Sequence, residues 1–244
     1  MILVDFLSLF YDFLRIYPKN KRMEKKMNTR KTKVCFVTSG LLLLLFILLI
    51  GAVQYFDVQE IGPKNSQIGL ATINGCVFDF FGVNLIWYNI TDWLGVVAIL
   101  VAFGFAILGF VQMIRRKGIM GVDADILALG VFYVVVVVLY IFFEVYIVNY
   151  RPVILYENLE ASFPSSHTMI VLCIMATAMM QFHMRIKKKM PRLIMETLSV
   201  LLMVITVFGR LISGVHWFTD ILGGILLSMA LILIYGGFLR SKSK

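Results

Sequence analysis

The chain has 244 residues; 60% are hydrophobic, only 15% are charged, and the formal net charge is +9. Soluble domains lie nearer to roughly 45–50% apolar and about 25% charged, so a water-soluble globule is excluded and an integral membrane protein is expected. Nucleic acid is not the expected partner, because the basic residues stand in clusters between apolar runs and not across a folded surface.

Residues 1–33 read as a basic cytoplasmic leader. Its opening, MILVDFLSLFYDFLRIY, places Asp5, Ser8, Asp12 and Arg15 on one helical stripe. That pattern fits an amphipathic helix in the membrane interface. It fits equally an upstream extension, with the working start at Met23 or Met27.

Six apolar runs follow, over 34–53, 91–114, 126–148, 168–182, 193–212 and 217–239. Backbone exposed to lipid has no water to bond, so each run must be helical. The fourth is short for a bilayer and has to share its ends with its neighbours. The fold class is therefore all-α: a polytopic membrane protein with six transmembrane helices and short interfacial helices, in one domain over 34–244. The first run follows basic residues as a signal peptide would, but it is too long and lacks a small-residue cleavage pattern, so it reads as an anchor.

The loops set the orientation. Basic clusters precede the first run and follow the second (Arg115, Arg116, Lys117), the fourth (Arg185 to Arg192) and the sixth (Arg240, Lys242, Lys244); the opposite loops hold only Lys64 and Arg151. Positive residues stay inside, which puts both termini in the cytoplasm. Between the first two runs lies an outer segment whose stretch FDFFGVNLIWYNITDW is rich in aromatic rings. Such rings suit either a plain interfacial belt or the wall of a lipid-access site.

The polar residues are sparse enough to examine singly. Cys35, Cys76 and Cys173 form neither a metal-ligand pattern nor a disulfide framework. Of three histidines, His183 lies beside RIKKK at the cytoplasmic edge, while His167 and His216 fall at outer helix ends. Ionisable groups in such places are functional candidates. His216 and Asp220 are four residues apart, on one face of a helix. A carboxylate there can accept from one ring nitrogen and leave the other free to attack. Arg151 and Arg210 also end runs on the outer side, and guanidinium groups suit phosphate oxygens. The turn Pro164-Ser165-Ser166 opens a helix at His167, and helix N-termini bind anions. Together these groups fit phosphoryl chemistry, where catalysis is largely positioning and charge stabilisation.

Three stretches, EVYIVNYRP, PSSH and GRLISGVHWFTD, resemble in order and spacing the motifs of the type 2 phosphatidic acid phosphatase family, whose core fold is shared with vanadium haloperoxidases. That family's pattern is Lys-x6-Arg-Pro, Pro-Ser-Gly-His and Ser-Arg-x5-His-x3-Asp. The resemblance covers residue 126 to the C-terminus. It implies a metal-independent membrane lipid phosphatase without a cofactor. His216 would be the nucleophile, Asp220 its support and His167 the general acid and base; Arg151, Arg210, Ser165 and Ser166 would bind phosphate. Three positions depart: Glu144 for lysine, Ser166 for glycine and Gly209 for serine. Glu144 reverses a charge expected to face phosphate. Pairing with Arg151 or Arg210, protonation, or replacement of the lost cation by Lys64 would each accommodate it. The implied partner is a lipid phosphate within the membrane: undecaprenyl diphosphate, phosphatidate or phosphatidylglycerol phosphate. A lipid phosphotransferase and a catalytically silent lipid-binding homologue are the alternatives. The compact six-span plan points to a bacterial plasma membrane with the site on its outer face. Nothing in the sequence sets an oligomeric state.

Overall fold

The computed structural model describes residues 21–242, with side chains from residue 29 onward. The amphipathic stripe read over 1–17 lies outside the described residues. Seven helices appear among the described residues: α1 Lys21–Tyr55, α2 Ala71–Phe81, α3 Leu85–Arg115, α4 Ala124–Val145, α5 Ser166–Arg185, α6 Lys189–Ile212 and α7 Phe218–Lys242. All but α2 are long and apolar enough to cross a membrane, and α1 runs unbroken through position 33, where the leader was expected to end.

α5 is the axis of the bundle. Every residue from Val171 to Gln181 is buried, and α3, α6 and α7 pack around it. This explains its modest apolarity: it faces protein, so polar side chains persist where they find partners. Thr177 Oγ1 donates to the Cys173 carbonyl at 2.7 Å, and Gln181 Nε2 donates to Tyr235 Oη at 2.8 Å. With Ser166 and Arg185 as its ends, α5 has 20 residues, enough for about 30 Å of hydrocarbon. α1, by contrast, lies along α7, pinned where Ser39 Oγ donates to the Ala230 carbonyl at 2.9 Å. α1, α3 and α4 turn Leu, Val, Ile and Phe side chains outward, as lipid-facing helices should.

Of the boundaries that differ from the sequence expectation, two shape the site. α3 starts at Leu85, six residues earlier than the apolar run, because Asn84 Oδ1 accepts from the Ile86 and Trp87 N–H groups at 3.1 and 3.2 Å. α4 stops at Val145, three residues early. The chain then doubles back: Arg151 N–H donates to the Glu160 carbonyl at 3.1 Å, and Ser162 N–H donates to Asn149 at 2.9 Å. The short apolar helix α2 is tied to the start of α7 by Asn74, which donates to Thr219 Oγ1 at 3.0 Å and accepts from Thr219 N–H at 3.1 Å.

The bundle has two chemically distinct ends. Arg116, Asp123, Asp125, Arg185 and the pair His183–Glu196 (2.9 Å) gather at one. The hydrogen bonds from Arg116 and Arg185 hold the Asp123 carboxyl down at about 2. His183 is thus tied to Glu196 and partly buried. The other end carries the three motifs.

Candidate active site

Three hydrogen bonds to backbone carbonyls draw the motifs together. Trp217 Nε1 donates to Tyr150 at 2.7 Å, Ser165 N–H donates to Asp220 at 2.9 Å, and His216 Nδ1 donates to Ser162 at 3.1 Å. The turn before α5 can lie this close to α7 because Gly223 and Gly224 face it. A β-carbon at 223 would come within 2.6 Å of the Phe163 ring, and one at 224 within 3.1 Å of the Ser165 carbonyl.

His216 is 3% exposed. A carbonyl oxygen only accepts, so the bond to Ser162 fixes the proton on Nδ1. Nε2 then carries a lone pair, and it is buried with no partner. Burial first, then the charges of Arg151, Arg210 and His167, hold the His216 ring well below its ordinary value. The imidazole is therefore neutral, as a nucleophile must be. Asp220 was expected to hold this ring. Its Oδ2 lies 3.6 Å from Nδ1 and accepts from the Trp217 N–H at 2.9 Å. The Ser162 carbonyl makes the shorter contact, so ring orientation is shared between the two.

Arg151, Arg210 and His167 meet at the same end. Arg210 is wholly buried, stacks on the Tyr88 ring at 5.0 Å, and leaves Nε and Nη1 without partners. Arg151 has Nε 3.0 Å from Glu160 Oε2, while its Nη1 has no partner. On His167, Nδ1 is likewise buried and unpartnered. Buried polar groups are nearly always satisfied. Four side chains from three motifs each leave a buried nitrogen unsatisfied at one end of the bundle, an arrangement suited to an acceptor-rich group.

The sequence reading missed Asp92. Its Oδ1 bridges two of these residues, 3.1 Å from His167 Nε2 and paired with Arg210 Nη2. It sits near the start of α3, on the helical face that also carries Thr91 and Gly95. The signal was available: a carboxylate inside an apolar run is a functional candidate wherever it occurs. The aromatic stretch before it hid it. That stretch proves mixed, since Trp87 and Tyr88 line the site while Trp93 is 71% exposed.

Gly209 acquires a reason. A β-carbon there would lie 2.5 Å from Thr91 Cγ2 and 3.1 Å from the Trp87 ring. The missing serine is what lets α3 approach α6 and bring Asp92 to Arg210. Ser165 is fully buried, its N–H committed to Asp220 and its hydroxyl accepting from Thr168 Oγ1 at 3.1 Å. It therefore offers a ligand no open N–H, whereas Ser166 lines a pocket beside His216. Glu144 lines the same cavity. Arg151 is ion-paired with Glu160, Arg210 with Asp92, and Lys64 is exposed in the turn Pro63–Asn65, with no ion pair joining it to Glu144.

Residues 126–240 match the family model of the PAP2 superfamily. Over that stretch, just under half of the chain, the protein is similar to the PAP2 superfamily. A search of curated proteins finds no match. Among solved structures, the chain is similar to the crystal structure of a transmembrane PAP2-type phosphatidylglycerolphosphate phosphatase from Bacillus subtilis. The identity is 20%, the TM-score is 0.61, and the match covers 85% of this chain and 98% of that one. At this identity the likeness speaks for the fold, and it extends the PAP2 plan to helices before residue 126. Asp92 therefore reaches the PAP2 motifs from a part of the chain that the family model does not match.

Proposed function

We propose that the chain is an integral membrane lipid phosphatase that hydrolyses a phosphate or diphosphate ester of a lipid through a phosphohistidine at His216. One observation carries the reading: the buried, unpartnered Nε2 of a neutral His216 sits among unpaired nitrogens of Arg151, Arg210 and His167. In the first step Nε2 attacks phosphorus. The N–P bond forms, the P–O bond to the lipid breaks, and His167 Nδ1 gives its proton to the leaving oxygen. Nη1 of Arg151 and of Arg210, with the N–H groups opening α5 at Ser166 and His167, stabilise the charge on the equatorial oxygens. In the second step His167 takes a proton from water, the new O–P bond forms, and Nε2 departs with its lone pair. Asp92 accepts from His167 Nε2–H throughout and supports the ring when it is charged. Ser162 and Asp220 do the same for His216. Protein groups alone supply nucleophile, proton and charge stabilisation.

The carboxylate on each arginine does not abolish phosphate binding in this scheme. Glu160 and Asp92 each hold one edge of a guanidinium and leave Nη1 to the substrate, which is pre-organisation of the kind that favours a transition state. Basic clusters at the opposite end support a site on the outer face of the plasma membrane, with both termini in the cytoplasm. A lipid keeps its tails in the bilayer there and presents its phosphate at the histidines. The test is phosphate release from undecaprenyl diphosphate, phosphatidate and phosphatidylglycerol phosphate by the purified protein in detergent. Wild type should act on at least one, and His216→Ala on none. Release unaffected by His216→Ala would refute the reading.

A further inference from the structure

Glu144 is the feature that this mechanism leaves unused. It lines the cavity that holds His216 and Ser166, whose other walls are largely apolar: Tyr140, Phe143, Phe163 and Met169. It is exposed, and it lies within electrostatic reach of Arg151 and of Glu160. The charge balance is unusual for a phosphate site. Each guanidinium already has a carboxylate partner, Arg151 in Glu160 and Arg210 in Asp92, so Glu144 adds a carboxylate that has no ion pair of its own among the described residues, beside a neutral His216. A lipid phosphate bearing only negative charge is repelled by Glu144 where it approaches Nε2. A substrate that carries its own positive charge is not.

We propose that Glu144 selects lipid phosphates whose head group carries a protonated amine close to the phosphoester, the ammonium resting on Glu144 while phosphorus stands at His216 Nε2. This rests on the phosphatase reading and names its substrate class: an amphiphilic amino-phosphomonoester, zwitterionic in the head. The geometry favours an ammonium over a metal ion bridging carboxylate and phosphate. Divalent ions such as magnesium and calcium want six or more oxygen ligands. Here Glu160 is engaged by Arg151, and no group of three His, Cys, Asp or Glu side chains suited to a metal occurs among the described residues. One carboxylate on an otherwise apolar wall suits a single ammonium, which needs one strong partner and tolerates apolar neighbours along its stem.

The experiment uses two phosphomonoesters with the same alkyl tail, one with an amine and one with a hydroxyl on the carbon next to the phosphoester carbon. Each is presented to wild type, Glu144→Gln and Glu144→Lys in detergent micelles, with and without EDTA. Wild type should favour the amine by about ten-fold or more in kcat/KM, which is about 1.4 kcal/mol. Glu144→Gln should lose the preference and Glu144→Lys should invert it. Binding of the matching non-hydrolysable phosphonates is measured in parallel. A protein that releases phosphate from neither ester nor from the three lipids above, yet binds the amine phosphonate preferentially through Glu144, refutes the phosphatase reading while supporting the head-group preference. Equal handling of both compounds by wild type overturns it. So does a preference that survives Glu144→Gln, or one that EDTA removes, since the latter assigns the carboxylate to a metal.

Discussion

Asp92 and His167 meet across two helices, with Oδ1 of the aspartate 3.1 Å from Nε2 of the imidazole, and the same oxygen pairs with Arg210. One carboxylate thereby fixes the tautomer of one proposed catalytic group and the orientation of another. Nε2 holds its proton toward Asp92, so Nδ1 is the atom that exchanges protons with substrate.

Asp92→Asn keeps the shape and removes the charge. It should lower kcat by roughly a hundred-fold, the lower end of what general acid–base catalysis contributes, with a smaller change in KM. The pH–rate profile should also move, because the charged His167 loses its counter-ion. A variant with wild-type kcat and an unmoved profile would mean that Asp92 only packs.

Restoring the family's serine should harm this protein. Gly209→Ser places a β-carbon 2.5 Å from Thr91 Cγ2, and overpacking of this kind costs about 1–3 kcal/mol. The thermal midpoint in detergent should fall, and activity with it, as α3 is pushed from α6. Adding Thr91→Ser removes the clashing methyl and should recover much of both. No recovery in the double variant would show that position 209 matters for another reason.

Acid should destabilise the fold in two separable windows. Folded His216 resists protonation, whereas the unfolded ring titrates near its usual value of about 6.5. Below that pH the unfolded chain binds a proton that the folded chain does not, so stability is complete above about 6.5 and falls as pH drops. Asp123 acts lower down. Its folded carboxyl is held at about 2 by Arg116 and Arg185, so its contribution is present above the unfolded value of about 3.9 and is lost as pH falls through 2. Thermal midpoints of His216→Gln should therefore vary less than wild type between about pH 7 and 5 and still fall below about pH 4. Parallel curves in the upper window would contradict the neutral, buried histidine.

Much of this was legible in the sequence because membranes impose simple rules. Six apolar runs had to be helices, and the few polar residues at their outer ends had to be accounted for. Motif spacing then named His167, His216, Asp220, Arg151 and Arg210, all of which the fold brings to one end. What stayed hidden depended on contacts between distant segments. The partner of His216 Nδ1 is a backbone carbonyl, Ser162, which no side-chain pattern reveals. Asp92 is 75 residues from His167 in sequence and belongs to no motif. Gly209 stood only as a departure from the family's serine until Thr91 appeared against it. Ser165 looked like an open anion donor until its N–H was seen spent on Asp220.

The central claim is that His216 Nε2 bonds to phosphorus. Its most direct test is acid-quench trapping with a radiolabelled aryl phosphate, whose leaving group needs no proton, using His167→Ala to slow hydrolysis of the intermediate. The account predicts an acid-labile, base-stable phosphoryl label on the peptide containing His216, absent from His216→Ala. Turnover without any covalent label, or a label on another residue, would contradict it.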